Sequence, residues 1–263
     1  MPASELLNGL EAVMREAGAL ARVTAARRFR HWTKGADRSP VSEADIAVND
    51  LLRGRLAQLA PEAGWVSEET ETDQAAQMAR MAWVVDPIDG TRAFIAGRPD
   101  WTISVALVED GLPRLAALFA PVTEQMFLAR RDGGATLNGA PIRVSAGAEL
   151  TGAKVAGPKK YLDRLAKLTP AILPLPKVHS LALRLTQVGA GTLDAAFSSG
   201  GSHDWDLAAA HLLVHEAGGL LTDFAGRPLL FDGLGAHRAL MAAGPARHRA
   251  LLDLVRDRMP EFA

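Results

Sequence analysis

The chain has 263 residues, of which 48% are hydrophobic and 22% charged, and its formal net charge is −1. It contains no cysteine, which excludes disulfides, thiol nucleophiles and thiolate metal ligands. The balanced charge, without a basic stripe, argues against a nucleic acid polymer as partner. No run of about 20 apolar residues predicts a membrane span, and the N-terminal residues lack the pattern of a secretory signal. We therefore expect a soluble cytoplasmic protein that does not bind membranes.

The first sixty residues are predicted to form two helices joined by a loop. Apolar residues at helical spacing predict a helix over residues 4–29, with Ser4 as its N-cap. A polar loop is expected over residues 31–42. A second helix is predicted over residues 43–59, and it ends before Pro61.

Strands are predicted to dominate the middle of the chain. Short apolar runs predict strands over residues 83–85, 102–108, 115–120 and 125–129. Two tight hairpin turns are expected at Asp132-Gly133-Gly134 and at Asn138-Gly139, because these residue types tolerate the backbone angles of such turns.

The last third of the chain alternates between the two element types. Strands are predicted over residues 153–156, 193–197, 220–222 and 239–243. Helices are predicted over residues 161–168, 181–189, 205–217 and 245–259. Such alternation favours a layered α/β fold. We predict two subdomains in one continuous body, residues 1–148 and 149–263.

The most informative segment begins with the apolar run Trp83-Val84-Val85 and continues as Asp86-Pro87-Ile88-Asp89-Gly90-Thr91. Such a turn can aim two carboxylates at one point, and Gly90 permits a close ligand approach. The backbone N–H groups at the start of a short helix after Thr91 favour phosphate. Carboxylates, waters and substrate phosphate are the ligands that Mg²⁺ prefers. A surface turn is the alternative interpretation, since Asp, Pro and Gly also favour turns.

Three further segments carry acids in suggestive positions, although each has an ordinary interpretation on its own. Glu68 and Glu69 follow a short apolar run, as they would in a solvated turn. Asp206 follows Trp205 at the start of an apolar helix, where an acid is a routine cap. The segment from Asp37 to Asp45 is also expected of a loop that leads into a capped helix.

The order of these four segments resembles the inositol monophosphatase superfamily. That group includes inositol monophosphatases, 3′(2′),5′-bisphosphate nucleotidases and histidinol-phosphate phosphatases, and the resemblance spans nearly the whole chain. It implies an α/β (α+β) layered sandwich like that of fructose-1,6-bisphosphatase. It also implies a metal-dependent phosphoric monoester hydrolase that is inhibited by lithium and forms a homodimer.

The resemblance assigns roles to individual residues. It implies two or three Mg²⁺ ions, whose protein ligands are Glu68, Asp86, the backbone carbonyl of Ile88, Asp89 and Asp206. The implied catalytic residues are Asp45, Thr91 and Glu68, with Thr91 and Asp45 orienting the attacking water. The implied substrate contacts are Gly90, Thr91, Ser180, Ala182, Ser199 and Asp206. The implied mechanism is direct in-line attack of water on phosphorus, without a phospho-enzyme.

The substrate is expected to be a small phosphorylated metabolite, with inositol 1-phosphate as the leading candidate. Many inositol monophosphatases carry a glutamate near the position of Ser199, and its absence here argues against inositol 1-phosphate. Arg92-Ala93-Phe94 departs from the usual nucleotidase pattern and is closer to that of the histidinol-phosphate phosphatases. Histidinol phosphate and 3′(2′),5′-bisphosphate nucleotides therefore remain alternatives. So does a non-catalytic regulator that binds a phosphorylated ligand. For Arg184 a solvated helix face is favoured over a second anion contact.

Overall fold

The computed structural model describes residues 2–34, 39–70, 79–169, 171–233 and 235–256. Asp37 of the predicted acidic loop lies outside the described residues, as does the end of the helix predicted over residues 245–259.

The described residues form seven helices and fourteen strands. The helices are α1 (Ala3–Ala25), α2 (Glu43–Leu59), α3 (Thr91–Ile95), α4 (Lys159–Leu168), α5 (Leu181–Gly189), α6 (Asp204–Glu216) and α7 (Pro245–Arg256). The first nine strands are β1 (His31–Lys34), β2 (Ser39–Ser42), β3 (Gly64–Ser67), β4 (Met81–Asp89), β5 (Thr102–Glu109), β6 (Leu112–Ala120), β7 (Gln125–Arg130), β8 (Gly134–Leu137) and β9 (Ala140–Pro141). The others are β10 (Lys154–Ala156), β11 (Leu173–Pro174), β12 (Ala195–Ser198), β13 (Leu220–Asp223) and β14 (Leu240–Ala243).

Two sheets organise the fold. A seven-stranded sheet has the order β3-β4-β5-β6-β7-β8-β9, and a five-stranded sheet has the order β11-β10-β12-β14-β13. Helices α1 and α2 pack on the outer face of the larger sheet. Helices α5 and α6 lie between the sheets, while α4 and α7 cover the outer face of the smaller one. The predicted layered α/β sandwich is thus confirmed, with five layers.

Alternation along the strands explains why the layers hold together. In β4, Trp83 and Val85 pack towards α1 and α2, whereas Val84 packs towards α5 and α6. Successive side chains of a strand point to opposite faces. A strand that is covered on both faces therefore needs a nearly continuous apolar sequence, which β4 has.

Several local predictions differ from the structure. Helix α1 begins at Ala3 with Pro2 as its N-cap, so Ser4 lies inside the helix and not at its cap. The predicted polar loop is a hairpin in which β1 pairs with β2, and burial of Val41 and Ser42 secures its second strand. Among the described residues, no helix is long and apolar enough to cross a membrane.

Candidate metal centre

An irregularity in β4 brings its two aspartates to one site. Asp86 pairs with Ser104 of β5 and Asp89 pairs with Thr102, so three steps along β4 correspond to two along β5. Residues three apart in a regular strand point to opposite faces. The extra residue, a β-bulge, returns Asp89 to the face that Asp86 occupies. The strand therefore continues past Asp86, where it was predicted to end.

Three carboxylates meet at this bulge. One oxygen from each of Asp86, Asp89 and Asp206 lies within 4.8 Å of the other two. Asp206 comes from the first turn of α6, where its Oδ2 accepts a hydrogen bond of 2.6 Å from the backbone N–H of His203. The helix-cap interpretation of Asp206 and its place in the cluster are therefore compatible.

Burial and mutual repulsion perturb the acids of this cluster. Burial raises the pKa of Asp206 to about 8, and the carboxylate of Asp89 adds to the rise. Burial likewise raises the pKa of Asp86 well above its usual range, with further contributions from Glu68 and Asp89. Like charges this close in a low-dielectric site favour protonation unless a cation is present. Because the donors are hard oxygen atoms, the cluster suits Mg²⁺ or a similar divalent ion.

The first turn of α5 holds Asp89 in place. Its Oδ2 accepts hydrogen bonds from the hydroxyl of Ser180 at 2.5 Å and from the amide of Ala182 at 2.7 Å. Its Oδ1 accepts one from the amide of Leu181 at 3.1 Å. Ser180 and Ala182 are fully buried and contact Asp89. Their predicted contact with substrate stays a prediction.

Thr91 and Asp45 lie together, as the resemblance implies. The Oγ1 of Thr91 lies 3.1 Å from Oδ1 of Asp45 and 3.1 Å from the carbonyl oxygen of Ile88. The other oxygen of Asp45 accepts hydrogen bonds from Ser42, at 2.8 Å from its amide and 2.6 Å from its hydroxyl. Burial raises the pKa of Asp45 to about 6, although the bonds from Ser42 oppose the shift.

Glu68 lies beside the three-aspartate cluster. It follows β3, which pairs in parallel with β4, and its amide donates to the carbonyl of Val85 at 3.2 Å. Burial raises the pKa of Glu68 to about 7, although nearby Lys34 opposes the shift. The ammonium of Lys34 lies 3.3 Å from the Glu68 carboxylate and also pairs with Glu69. The sequence offered no signal for Lys34, because only the β1–β2 hairpin brings it to this site.

The start of α3 lies beside these acids. Gly90 is its N-cap, with φ of 97°, and the first amide hydrogen-bonded to the carbonyl of Gly90 is that of Ala93. The amides of Gly90 and Thr91 precede this first intrahelical bond. Like other amides at a helix start, they can donate to an anion. A Cβ at Gly90 would lie 3.2 Å from the backbone nitrogen of Ser180, so glycine permits this close approach.

Arg184 differs from its predicted position on a solvated face. It is only 8% exposed, because α5 lies between the two sheets and buries most of its surface. Arg184 lines a cavity of about 640 Å³, and Ser199 lines the same cavity. Of the two interpretations given to Arg184, the solvated face is therefore wrong.

Comparisons with known proteins agree with this geometry. The model of the inositol monophosphatase family matches residues 3–259. The fructose-1,6-bisphosphatase/inositol-1-monophosphatase of Thermotoga maritima is 35% identical over 193 residues, which cover 71% of this chain and 72% of that protein. The Nus factor SuhB of Escherichia coli K12 is 32% identical over 235 residues, 84% of each chain. The crystal structure of the extragenic suppressor protein suhB from Bartonella henselae superposes with a TM-score of 0.86 at 26% identity, covering 97% of this chain and 99% of that one.

The match over nearly the whole chain and the acidic cluster lead to one assignment. The chain belongs to the inositol monophosphatase family and is a phosphoric monoester hydrolase.

Proposed function

We propose that the chain is a Mg²⁺-dependent phosphomonoesterase that hydrolyses a small phosphorylated metabolite by direct in-line attack of water. The observation that carries the proposal is the cluster of Asp86, Asp89 and Asp206 beside the hydrogen-bonded pair of Thr91 and Asp45. Acids that are buried this closely need a cation, and phosphoryl transfer needs little beyond positioning and charge compensation.

In this proposal the metal is held by oxygen atoms alone. Asp86, Asp89 and Asp206 are the central ligands, and Glu68 and the carbonyl of Ile88 complete the set for two or three Mg²⁺ ions. Bound Mg²⁺ supplies charge neutralisation for the phosphate and lowers the pKa of a bound water.

The pair of Thr91 and Asp45 has the geometry of a proton acceptor for the attacking water. The Thr91 hydroxyl donates to Asp45. The lone pairs of Thr91 Oγ1 are then free to accept a proton from water. The Thr91 proton then moves to Asp45, whose pKa of about 6 is close to neutrality, as suits a general base. The amides of Gly90 and Thr91 hold the phosphate oxygens at the start of α3.

For the substrate we propose an ester of the inositol 1-phosphate type, the activity named in the relative from Thermotoga maritima. Histidinol phosphate and 3′(2′),5′-bisphosphate nucleotides are the alternatives, and Ser180, Ala182, Ser199 and Asp206 are the proposed substrate contacts. Lithium inhibition, a homodimer and a cytoplasmic location are further parts of this proposal.

The test is release of inorganic phosphate from four esters, with Mg²⁺ and again with excess chelator. The esters are inositol 1-phosphate, histidinol phosphate, 3′-phosphoadenosine 5′-phosphate and fructose 1,6-bisphosphate. We expect turnover that chelator abolishes and that Mg²⁺ restores. Turnover that survives chelation would contradict the proposed metal dependence.

A second candidate function is regulation through a bound partner or phosphorylated ligand, without turnover. The observation that favours it is the 32% identity to a protein named Nus factor SuhB. The presence of Thr91 and Asp45 as a hydrogen-bonded pair argues against it, because a chain that had lost catalysis would not need this pair. A folded protein that binds Mg²⁺ but hydrolyses none of the four esters would favour this second function.

A further inference from the structure

The loop between α3 and β5 is tied to the start of α5 by Asp100. The Oδ2 of Asp100 accepts a hydrogen bond of 2.9 Å from the amide of His179. The backbone carbonyl of Asp100 accepts one of 3.1 Å from the amide of Ser180, the N-cap residue of α5. Amides at the start of a helix lack partners within the helix, so Asp100 satisfies two donors at once.

The next two amides of α5 belong to the metal centre. Those of Leu181 and Ala182 donate to Asp89, a member of the acidic cluster. Two aspartates therefore share four consecutive amides, of which Asp100 accepts the first two and Asp89 the next two. Because the four lie on one short stretch of backbone, a shift of the first two would move the donors that Asp89 accepts.

Two side chains hold Asp100 in turn. The Nδ1 of His179 lies 2.7 Å from the Oδ2 that accepts the His179 amide, and the Nε of Arg98 donates to Oδ1 at 3.1 Å. Burial acts to raise the pKa of Asp100, but the bonds from His179 and Arg98 outweigh it and hold that pKa below its usual range. Asp100 is therefore a carboxylate at neutral pH. Since a carboxylate only accepts hydrogen bonds, the Nδ1 of His179 carries the proton.

The pair of Asp100 and His179 is partly shielded from water. Their side chains are 17% and 24% exposed, whereas that of Arg98 is 51% exposed. A hydrogen bond to a charged group is stronger than one between neutral groups, and partly buried groups are screened less by the solvent. The bond between Asp100 and His179 is therefore expected to contribute more than the bond from Arg98.

A third segment meets this pair. A Cβ at Gly90 would lie 3.4 Å from the carbonyl oxygen of Asp100 and 3.2 Å from the backbone nitrogen of Ser180. The N-cap of α3 thus packs against the hydrogen bond that joins the loop to α5. The start of α3 and the start of α5, which holds Asp89, therefore depend on the same contact.

We propose that Asp100 and His179 are positioning residues for the metal centre, which hold the first turn of α5 where its amides fix Asp89. Neither residue belongs to the acidic cluster. Groups that orient a metal ligand from outside the ligand set typically change metal affinity when they are lost. The inference rests on the proposed Mg²⁺-dependent function and adds to it two residues that bind neither the ion nor the phosphate.

The test measures the Mg²⁺ concentration that gives half-maximal phosphate release from the most rapidly hydrolysed of the four esters, together with kcat and KM at saturating Mg²⁺. Asp100→Ala should raise that Mg²⁺ concentration about 10-fold, the lower end for groups that orient a ligand, because Asp100 acts through the backbone. At saturating Mg²⁺ the variant should keep most of its kcat and its KM, since the ion then restores the position of Asp89. A loss of general stability would not give this split.

Four further variants make the comparison specific. His179→Ala should raise the Mg²⁺ requirement in the same direction, and the double variant should need no more Mg²⁺ than Asp100→Ala, because the effects of two partners in one interaction do not add. Asp100→Asn keeps one oxygen acceptor but loses the charge, so its effect should be smaller. Glu16→Ala removes a carboxylate that accepts hydrogen bonds of 2.9 and 2.7 Å from Arg55, on the outer helices, and should leave the Mg²⁺ requirement unchanged.

Two results would overturn the inference. One is an Asp100→Ala variant with the same Mg²⁺ requirement as Glu16→Ala. The other is a double variant whose Mg²⁺ requirement exceeds that of Asp100→Ala by the full effect of His179→Ala, which would mean that the two residues act separately. If a melting curve shows that Asp100→Ala does not fold, Asp100→Asn takes its place, with a change in the same direction expected.

A measurement without metal separates this inference from the proposed function. If the wild type hydrolyses no ester with Mg²⁺, the proposed function fails, and hydrogen exchange of backbone amides in the chelated protein then decides. The amides of Leu181 and Ala182 donate to Asp89 and not to Asp100. Faster exchange of these two amides in Asp100→Ala than in Glu16→Ala would support the inference, and equal exchange would contradict it.

Discussion

At the scale of single residues, Asp89 joins the acidic cluster to the first turn of α5. Its oxygens accept three hydrogen bonds from the first turn of α5, while one of them faces Asp86 and Asp206. A charge so fixed cannot turn away from its neighbours. This arrangement predetermines the position of a cation before any ion binds.

Replacement of Asp89 by Asn should remove a ligand while preserving the side chain's shape. We expect kcat/KM with Mg²⁺ to fall at least about 100-fold, more than is typical of the loss of a group that only supports a ligand. The metal-free variant should still fold, since Asn keeps the shape of the side chain and one oxygen acceptor for the donors of α5. Phosphate release and melting curves check both statements, and full activity in the variant would contradict the site assignment.

Ser180 supports Asp89 without belonging to the cluster. Its hydroxyl donates to Asp89 at 2.5 Å and lies 2.9 Å from the hydroxyl of Thr102. Ser180→Ala should weaken Mg²⁺ affinity by about 10- to 100-fold, as for other groups that orient a ligand. Titration of activity with Mg²⁺ measures this. Ser4→Ala, at an exposed position of α1, serves as the control, and equal Mg²⁺ dependence of the two variants would refute the supporting role.

At the scale of elements, the end of β4 and the start of α3 are nearly continuous, since only Gly90 separates them. The bulge between Asp86 and Asp89 turns both carboxylates to one face, and Pro87 suits such an interruption because it has no N–H to pair. Gly90 then reverses the chain into α3 at a positive φ. The geometry of the cluster therefore depends on backbone conformation as much as on side chains.

Gly90→Ala tests this dependence. The new methyl group would lie 3.2 Å from the backbone nitrogen of Ser180, at φ of 97°, so strain of about 1–2 kcal/mol is expected from the backbone alone. We expect a lower melting temperature and a lower kcat, since Asp89 and α3 must shift. Gly97→Ala is the matched control, because Gly97 also has a positive φ, of 67°, but has open space around it. Equal effects of the two substitutions on kcat would contradict the role of the close approach.

At the scale of the whole molecule, the acidic cluster opposes the stability of the metal-free fold. Carboxyl groups with raised pKa values bind protons more tightly in the folded than in the unfolded protein. The pKa values of Asp45, Glu68 and Asp206 lie near 6, 7 and 8, against ordinary values near 4. Between about pH 4 and pH 8 the folded state therefore binds more protons than the unfolded state. The free energy of unfolding falls as pH rises through that window.

This linkage predicts how metal and pH act together. The melting temperature of the chelated protein should fall from pH 5.5 to pH 8, and Mg²⁺ should raise it more at pH 8, because fewer protons must then be displaced from the ligands. Differential scanning calorimetry at several pH values checks the trend. Asp206→Asn should flatten it. A Mg²⁺-induced shift of equal size at pH 5.5 and pH 8 would contradict the linkage.

Much of this protein follows from its sequence alone. The apolar pattern predicted α2 and α5 to the residue, because the periodicity of such elements is local. The family and its candidate ligands were also readable, since Asp86 and Asp89 lie in one short motif and Glu68, Asp45 and Asp206 occur in a recognisable order.

Tertiary structure decided the rest, because the deciding contacts join residues that are distant in the chain. Lys34 reaches Glu68 only through the pairing of β1 with β2. Arg184 is buried only because two sheets enclose α5, whereas the sequence around it also suits an exposed helix. The bulge at Asp86 exists only against its register partner on β5. Burial, pKa and register depend on what packs across from a residue, and no local pattern carries that information.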